Sequence, residues 1–579
     1  MNRPILFTFL TLTAAAGVVS CSKSNQADKT FTEAADPIVL NDEQLSAWEL
    51  SGDGLNAAWG DADVRYGRSV VPVAGAADTM KLTAWKGEKE SAQLVLWTRD
   101  GADGVTCEVN DFVSPAGKIP ATAAQARFVR YTIADTTFSV NGAEILVADM
   151  IDSIACMNLD PKTARPVWVS IEVPADAAAG LYDSEVIISS NDKGKISLPI
   201  RLEVIDRTLS PASEWAYHLD LWQHPTAVAR AYGLEVWSDE HFEAMKPLMQ
   251  MLADAGQKVI TGTLNKDPWN HQCYDGYENM IKWTLNADGT WSYDYAAFDR
   301  WVQMMMDLGI DKMINCYSMV PWNCELEYYD QASDSVVTVT AEPGTEIFVN
   351  MWKPFLADFK KHLDEKGWLP ITNIAMDERD PESMDAAARL LEECAPEMGF
   401  AIADNHQSYK KYTMMRDVCV SQAQTTDHED ILDRRSHGFN TTFYVCCGPL
   451  FPNTFTYSDP YEAELLGWYG IALDYDGMLR WAYNSWPADP QSDSRYGEWS
   501  SGDTYLVYPY ARPSVRFERL IDGIENAEKI RILRSEGVEM PDVDLMLESI
   551  RQNNVNDPSL SWRETMAKGR QALDAASRK

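Results

Sequence analysis

LPITNIAMDERD, residues 369–380, is the stretch around which the chain organises. Ile371, Ile374, Ala375 and Met376 make a short apolar run, bounded upstream by Gly367 and downstream by Pro381, a residue suited to opening a helix. The pattern predicts a buried strand that runs directly into a helix and delivers two acids, Asp377 and Glu378, to the strand's exit. Carboxylates leaving a core at that point face a cleft, pair with cations or are held in strain. Adjacency alone carries little, because 87 acidic residues in 579 give about 13 such pairs by chance, most of them solvated surface. The position at a strand end is what singles this pair out.

Working outward, strands and helices alternate on both sides. Candidate strands are 215–222, 258–263, 312–317, 371–377, 400–405, 417–422, 441–446 and 479–485. Between them, Phe242, Met245, Leu248, Met249 and Leu252 repeat at helical spacing from Ser238 to Gly256. Phe298, Trp301, Met305 and Leu308 do so from Asp294 to Gly309. Further helices are expected near 349–366, 382–396, 427–436 and 462–473, with Val515 to about Leu533 finishing the unit. Eight strands over about 300 residues predict a (β/α)8 TIM-like barrel spanning 208–539, whose reaction site lies where the strands end in their βα loops. Asp377 and Glu378 close its fourth strand. An open doubly wound sheet is the alternative.

Ahead of the barrel, residues 37–207 read as a β-sandwich domain. Val167, Val169, Ile171 and Val173 alternate with polar or aromatic residues, as do Leu198, Ile200, Leu202 and Val204, predicting one buried and one wet face per strand. No helix stands out there. Arg207 to Ser213, with Pro211, is the expected linker, and 540–579 a short helical tail without chemistry of its own. The fold class is therefore multidomain β plus α/β.

At the N-terminus, Arg3 precedes an apolar stretch from Ile5 to Val19, too short for a comfortable membrane span. It ends in Val18-Val19-Ser20-Cys21, which resembles a bacterial lipobox. On that reading 1–21 is a lipoprotein signal peptide, Cys21 becomes the lipidated first residue, 22–36 is a tether, and the protein sits in the cell envelope. The other cysteines show no C-x-x-C spacing, and Cys446 and Cys447 fall in an apolar strand pattern that predicts buried thiols.

A net charge of −37 argues against nucleic acid or anionic membrane as the binding partner. Twenty Trp and 24 Tyr supply rings that stack on sugars as readily as they fill cores. The eight histidines are scattered without H-E-x-x-H or clustered ligand spacing, and neither a phosphate loop nor a G-x-S-x-G elbow is present, so no metal and no cofactor is expected. Carboxylate chemistry remains, hence glycoside cleavage. The other predicted strand ends add polar and aromatic side chains suited to a sugar subsite: His218 and Asp220 on the first strand, Asn315 and Tyr317 on the third with Trp322 beyond, Asn405 and His406 at the end of the fifth, Asn484 and Trp486 at the end of the eighth.

The segments NIAMDERD, RWAYNSWPADP (480–490) and GEWSSGDTYLVYPYARPSVRFERLIDGIENAEKI (497–530) together resemble glycoside hydrolase family 123 and the related DUF4091 domain proteins of Bacteroides-type bacteria. The resemblance covers most of 160–535. It implies a retaining, exo-acting β-N-acetylgalactosaminidase with a β-sandwich ahead of a barrel, working by participation of the substrate's 2-acetamido group. The family's acid pair falls on Asp377 and Glu378, and a tyrosine steadying the acetamido oxygen would be Tyr444, Tyr317 or Tyr505. The chain departs from the common pattern at Arg379, where many members carry Pro, and at Tyr508–Tyr510, where YPY stands for YPG. The expected partner is a glycan with a terminal β-linked GalNAc, with membrane contact only through the anchor. A β-N-acetylglucosaminidase or another DUF4091-type glycosidase, and a non-catalytic glycan-binding protein, are the alternatives.

Overall fold

A computed structural model describes residues 32–579 apart from 74, 76, 136–142, 405, 425, 554 and 556–560. Cys21 and Asn405 thus lie outside the described residues.

The N-terminal region is built of two sheets. One has the order Leu55–Trp59, Lys89–Thr98, Thr163–Glu172, Ala124–Asp135, Glu144–Ile151. The other centres on the hairpin Gly180–Ser190 and Gly194–Thr208, flanked by Met80–Lys86 and Ala102–Val109. Their inner faces share one apolar core, Leu94, Leu96, Phe128, Val167 and Val169 meeting Val186, Ile188, Ile200 and Leu202. The strand Gly194–Thr208 alternates as its sequence predicts, but Thr163–Glu172 is buried on both faces. Its second face is not wet: Trp168 packs with Val129, Tyr131, Ala148, Ile151 and Val515 of the following domain. The same hairpin strand extends through Thr208, so the segment expected as linker is partly sheet. A helix, Asp42–Leu50, precedes the first strand. Asn41 Oδ1 accepts from Gln44 N at 2.8 Å while the Gln44 amide oxygen accepts from Asn41 N at 2.9 Å, a reciprocal cap written in the sequence as N-D-E-Q.

Eight parallel strands follow: β1 (His218–Leu221), β2 (Val259–Thr263), β3 (Met313–Tyr317), β4 (Thr372–Asp377), β5 (Gly399–Asp404), β6 (Met415–Ser421), β7 (Asn440–Tyr444) and β8 (Gly477–Arg480). They pair in the order β1-β8-β7-β6-β5-β4-β3-β2, a nearly closed barrel. All eight expected strands are present, shifted by a few residues at their ends. Two features depart from a regular (β/α)8 pattern. Among the described residues, the connection from β5 to β6 carries only a 3-10 turn, Ser408–Lys410. The β1–β2 seam has no ladder, only a single bridge between Leu219 and Gln257. Side chains fill the gap: Gln257 Oε1 accepts from Leu221 N at 2.9 Å and its Nε2 donates to Val259 O at 2.7 Å, while Gln223 Oε1 accepts from Thr261 N at 2.9 Å. These amides take over the backbone groups that an interrupted ladder leaves orphaned.

A four-stranded sheet that the sequence pattern did not reveal, Trp291–Asp294, Lys282–Leu285, Glu325–Asp330, Ser335–Thr340, grows from the loops after β2 and β3. Helix α1 (Val515–Ser535) joins barrel to sandwich, and the tail adds α2 (Pro541–Asn553) and α3 (Trp562–Ser577). Cations of α1 and the turn before it reach acids of the N-terminal region. Arg516 Nε lies 3.1 Å from the fully buried Asp149, which also accepts from Tyr508 at 2.7 Å. Arg512 pairs with Asp152 at 2.9 Å, Arg519 with Asp63 at 2.7 Å and Lys529 with Glu88 at 2.5 Å. Arg570 of α3 adds a second contact to Asp63 at 2.7 Å. Much of the 497–530 segment is thus the joint between the two domains.

Candidate active site

The barrel interior is layered. Toward the strand starts, His218 lies 3.4 Å from Asp417, Asn315 donates to Asp417 at 2.8 Å, and Asn373 donates to Asn315 at 2.9 Å. Burial works against the His218 imidazolium, but Asp417 holds it above its usual range. Burial and then the Asp417 charge push Asp220 up to about 7. Above them sits an aromatic layer in which Trp222 contacts Trp269 (4.9 Å between centroids) and Tyr317 (4.6 Å). Beyond that layer opens a cavity of about 160 Å³, lined by Trp222, Gln272, Trp322, Asp377, Glu378, Ala403, Tyr444, Cys446, Cys447, Leu479, Trp481 and Trp499.

Consecutive residues of a strand point to opposite faces, so two neighbouring acids reach one cavity only if the strand breaks between them. It does: β4 ends at Asp377, and Glu378 takes φ 46°, the left-handed region, which for a residue with a Cβ costs on the order of 1–3 kcal/mol. Its N–H still donates to Ala403 O at 2.9 Å, so the strained residue stays attached to β5. Trp322 Nε1 donates to Asp377 Oδ2 at 3.1 Å, and the Tyr444 hydroxyl donates to Glu378 Oε1. Burial, then the Glu378 charge, push the Asp377 carboxyl up to about 7. Burial and the bond to Glu378 raise the Tyr444 phenol well above its ordinary value, so it stays a donor. The wall opposite is pinned as well. Trp481 Nε1 donates to Asp503 Oδ1 at 3.2 Å, Asp503 being paired at 2.8 Å with the fully buried Arg480, and Trp499 meets Trp481 edge-on at 5.5 Å.

An acid pair on one cavity wall, a hydroxyl on one of the acids and indoles around the rest is an arrangement for cleaving a glycosidic bond. The family model described as glycoside hydrolase 123, catalytic domain, matches residues 222–533, more than half of the chain, and the glycoside hydrolase 123 N-terminal domain matches 59–190. The chain belongs to glycoside hydrolase family 123. Among solved structures, this family 123 enzyme is similar to a family 123 glycoside hydrolase from Clostridium perfringens described in terms of glycolipid glycan hydrolysis. The two share 25% identity and a TM-score of 0.82, over 90% of this chain and 97% of that one. A family 39 glycoside hydrolase from Bacteroides cellulosilyticus has 9% identity and a TM-score of 0.34, over 78% and 82%. No curated protein matches the chain.

In this family 123 hydrolase the structure brings Asp377, Glu378, Trp322 and Tyr444 of the sequence-predicted residues to the cavity. His218, Asp220 and Asn315 lie in the polar layer beneath, and Tyr317 in the aromatic layer between. His406 is exposed in the loop after β5. Asn484, Trp486 and Tyr505 are fully buried in scaffold: Asn484 exchanges hydrogen bonds with the His224 backbone at 2.9 Å, and Trp486 Nε1 donates to Val507 O at 2.6 Å. The reason is the end of β8. The sequence pattern extends that strand to Ser485, whereas it stops at Arg480, so the residue at the mouth is Trp481. Trp499 and Gln272, on long loops, carried no periodic signal. Cys446 and Cys447 were expected as buried strand thiols. Because β7 stops at Tyr444, they sit in the following turn, half-buried in the cavity wall.

Proposed function

We propose that this enzyme is a retaining, exo-acting β-N-acetylgalactosaminidase in which the substrate's own 2-acetamido oxygen attacks the anomeric carbon. The observation that carries the reading is the break at Glu378, which turns two sequence-adjacent carboxyls into one cavity. Retaining enzymes with a carboxylate nucleophile hold two carboxyls about 5–5.5 Å apart across the scissile bond, and side chains leaving one strand end from neighbouring positions are poorly placed to straddle it. A nucleophile supplied by the substrate removes that requirement. Asp377, ionised, accepts the acetamido N–H, orients the group and balances the positive charge of the cyclic intermediate. Glu378 protonates the leaving oxygen, then takes the proton of the water that opens the ring. Tyr444, bonded to Glu378, fixes that carboxyl's direction through both steps. The cavity's size, below the roughly 300–1,000 Å³ of clefts that take larger ligands, supports recognition of a single terminal sugar, with the Trp walls supplying its stacking surfaces.

The test is release of nitrophenol from aryl β-GalNAc, β-GlcNAc and β-Gal in parallel. Hydrolysis of the first alone is expected; preference for β-Gal would sink acetamido participation. Glu378→Gln should slow substrates with poor leaving groups far more than activated aryl glycosides. An acetamido thiazoline mimicking the cyclic intermediate should bind much more tightly than the product sugar and lose most of that advantage in Asp377→Asn. The lipid anchor belongs to the same proposal: Cys21→Ala should move the protein out of the membrane fraction, and unchanged fractionation would count against it.

A further inference from the structure

The cavity wall holds one feature that the hydrolytic mechanism does not use. Cys446 Sγ lies 3.8 Å from Cys447 Sγ, and both line the cavity with Glu378 and Tyr444. The turn that carries them is pinned on several sides: Cys446 N donates to Gly448 O at 3.2 Å, Asn453 Nδ2 donates to Cys446 O at 2.9 Å and to Pro449 O at 2.7 Å, and Arg480 Nη1 donates to Val445 O at 3.1 Å. The two sulfurs are therefore held side by side and reachable from the cavity, whereas Cys273, Cys316, Cys324 and Cys419 are buried.

We infer that Cys446 and Cys447 form a reactive vicinal dithiol that closes to a disulfide in the wall of the sugar subsite when it meets a small external disulfide. The location of the effect rests on the reading of this cavity as the sugar subsite; the chemistry of the pair does not. Bringing the sulfurs from 3.8 Å to an S–S bond of about 2.0 Å takes roughly 1.8 Å of travel, shared between side-chain rotation and a twist of the 446–447 peptide. The two thiols are unequal. The hydrogen bond from Cys446 draws the Cys447 thiol below its ordinary range, while that bond and burial raise Cys446. Cys447, as thiolate, attacks one sulfur of the external disulfide and expels a thiolate, which takes up the proton Cys447 released. Cys446 then loses its proton to water, and its sulfur displaces the second thiolate, which is protonated in turn. Two cysteine S–H bonds and one external S–S bond are lost, and one internal S–S bond and two external thiols are gained. The two electrons pass from the cysteines to the external disulfide. Neighbouring Cα atoms stand about 3.8 Å apart, closer than the roughly 4.4–6.8 Å usual for disulfides, so the small ring reopens readily with reductant. In the closed form the wall beside Tyr444 loses two S–H donors and presents an apolar sulfur face to the sugar.

The test uses the whole enzyme incubated with oxidised glutathione or with dithiothreitol, then quenched in acid and digested. The peptide spanning 446–447 should be lighter by two hydrogens after oxidation, without attached glutathione and closed to alkylation. The KM for the aryl glycoside that the enzyme hydrolyses should differ at least three-fold between the two states; Cys447→Ser should remove the difference, and Cys446→Ser, left without the resolving thiol, should stop at a Cys447–glutathione mixed disulfide. Phenylarsine oxide, which bridges paired thiols, should inhibit the reduced wild type and neither variant. Free or glutathionylated thiols in the oxidised sample would overturn the inference, as would a KM indifferent to redox state. Failure to cleave any β-GalNAc substrate while the mass shift is present would fall instead on the proposed function.

Discussion

Replacing Asp377 with Asn should make the protein more stable and less active, and the gain in stability should depend on pH. Burial and the Glu378 charge raise this carboxyl from 3.8 to about 7 in the folded protein. Between those values the native state holds a proton that the unfolded chain has released, so stability falls as pH rises from about 4 to 7 and is level beyond. About three pKa units at 1.36 kcal/mol each set a ceiling near 4 kcal/mol. Asp377 borders an open cavity and is only partly covered, so screening reduces the figure to about 2 kcal/mol. Asn carries no such penalty and keeps an oxygen for the Trp322 N–H. For a barrel of roughly 320 residues, 2 kcal/mol corresponds to about 3 °C in Tm. Thermal unfolding of both proteins from pH 4 to 8 should therefore show curves that coincide at pH 4 and separate to that extent by pH 7.5, Asn above Asp. On the proposed mechanism, kcat/KM of the wild type should fall about tenfold per unit below pH 7 as Asp377 takes its proton, and the variant should lack that limb. A Tm gap that is the same at every pH, or a variant less stable at pH 8, would refute the reasoning.

Three further outcomes follow from the geometry. Tyr444→Phe removes a hydrogen bond to a charged oxygen worth about 1.5–3 kcal/mol, so kcat on poor leaving groups should drop 10- to 100-fold in steady-state assays, with activated aryl glycosides less affected. Trp481→Ala opens one wall of the cavity and should raise KM several-fold with a smaller change in kcat. Arg516→Met leaves Asp149 buried with Arg65 and Tyr508 alone. It should lower stability by about 3–5 kcal/mol in denaturant unfolding, while kcat per folded molecule, measured by active-site titration, stays near wild type.

The barrel strands were legible because each is an apolar run with a helix or turn signal on either side, and that local information placed Asp377 at a strand end. Which residues reach the cavity was legible only where the strand end was placed correctly. At β4 and β7 it was nearly so, giving the acid pair and Tyr444. At β8 a five-residue error exchanged Trp481 for the buried Asn484 and Trp486. The second buried face of Thr163–Glu172 could not be read at all, since whether an alternating strand meets water or another domain depends on partners hundreds of residues away. The Arg and Lys of α1 raise the same difficulty: their acids, Asp149, Asp63 and Glu88, lie in another part of the chain. The helix Asp42–Leu50 is a further element that the sequence pattern did not reveal, although its N-D-E-Q cap is a short-range signal of a helix start.

The seam between β1 and β2 sets this barrel apart from one closed by main chain all the way round. Peptide groups cannot be exchanged by substitution, but Gln223 and Gln257 can, so the width of the barrel along that one edge is open to single-codon change. The floor of the cavity lies on this edge through Trp222, which sits next to Gln223. Exchanging either glutamine for a shorter or longer polar residue would tilt that floor without touching Asp377 or Glu378. The joint is therefore a place where a lineage, or a library, could retune which sugars fit while leaving the chemistry as it is.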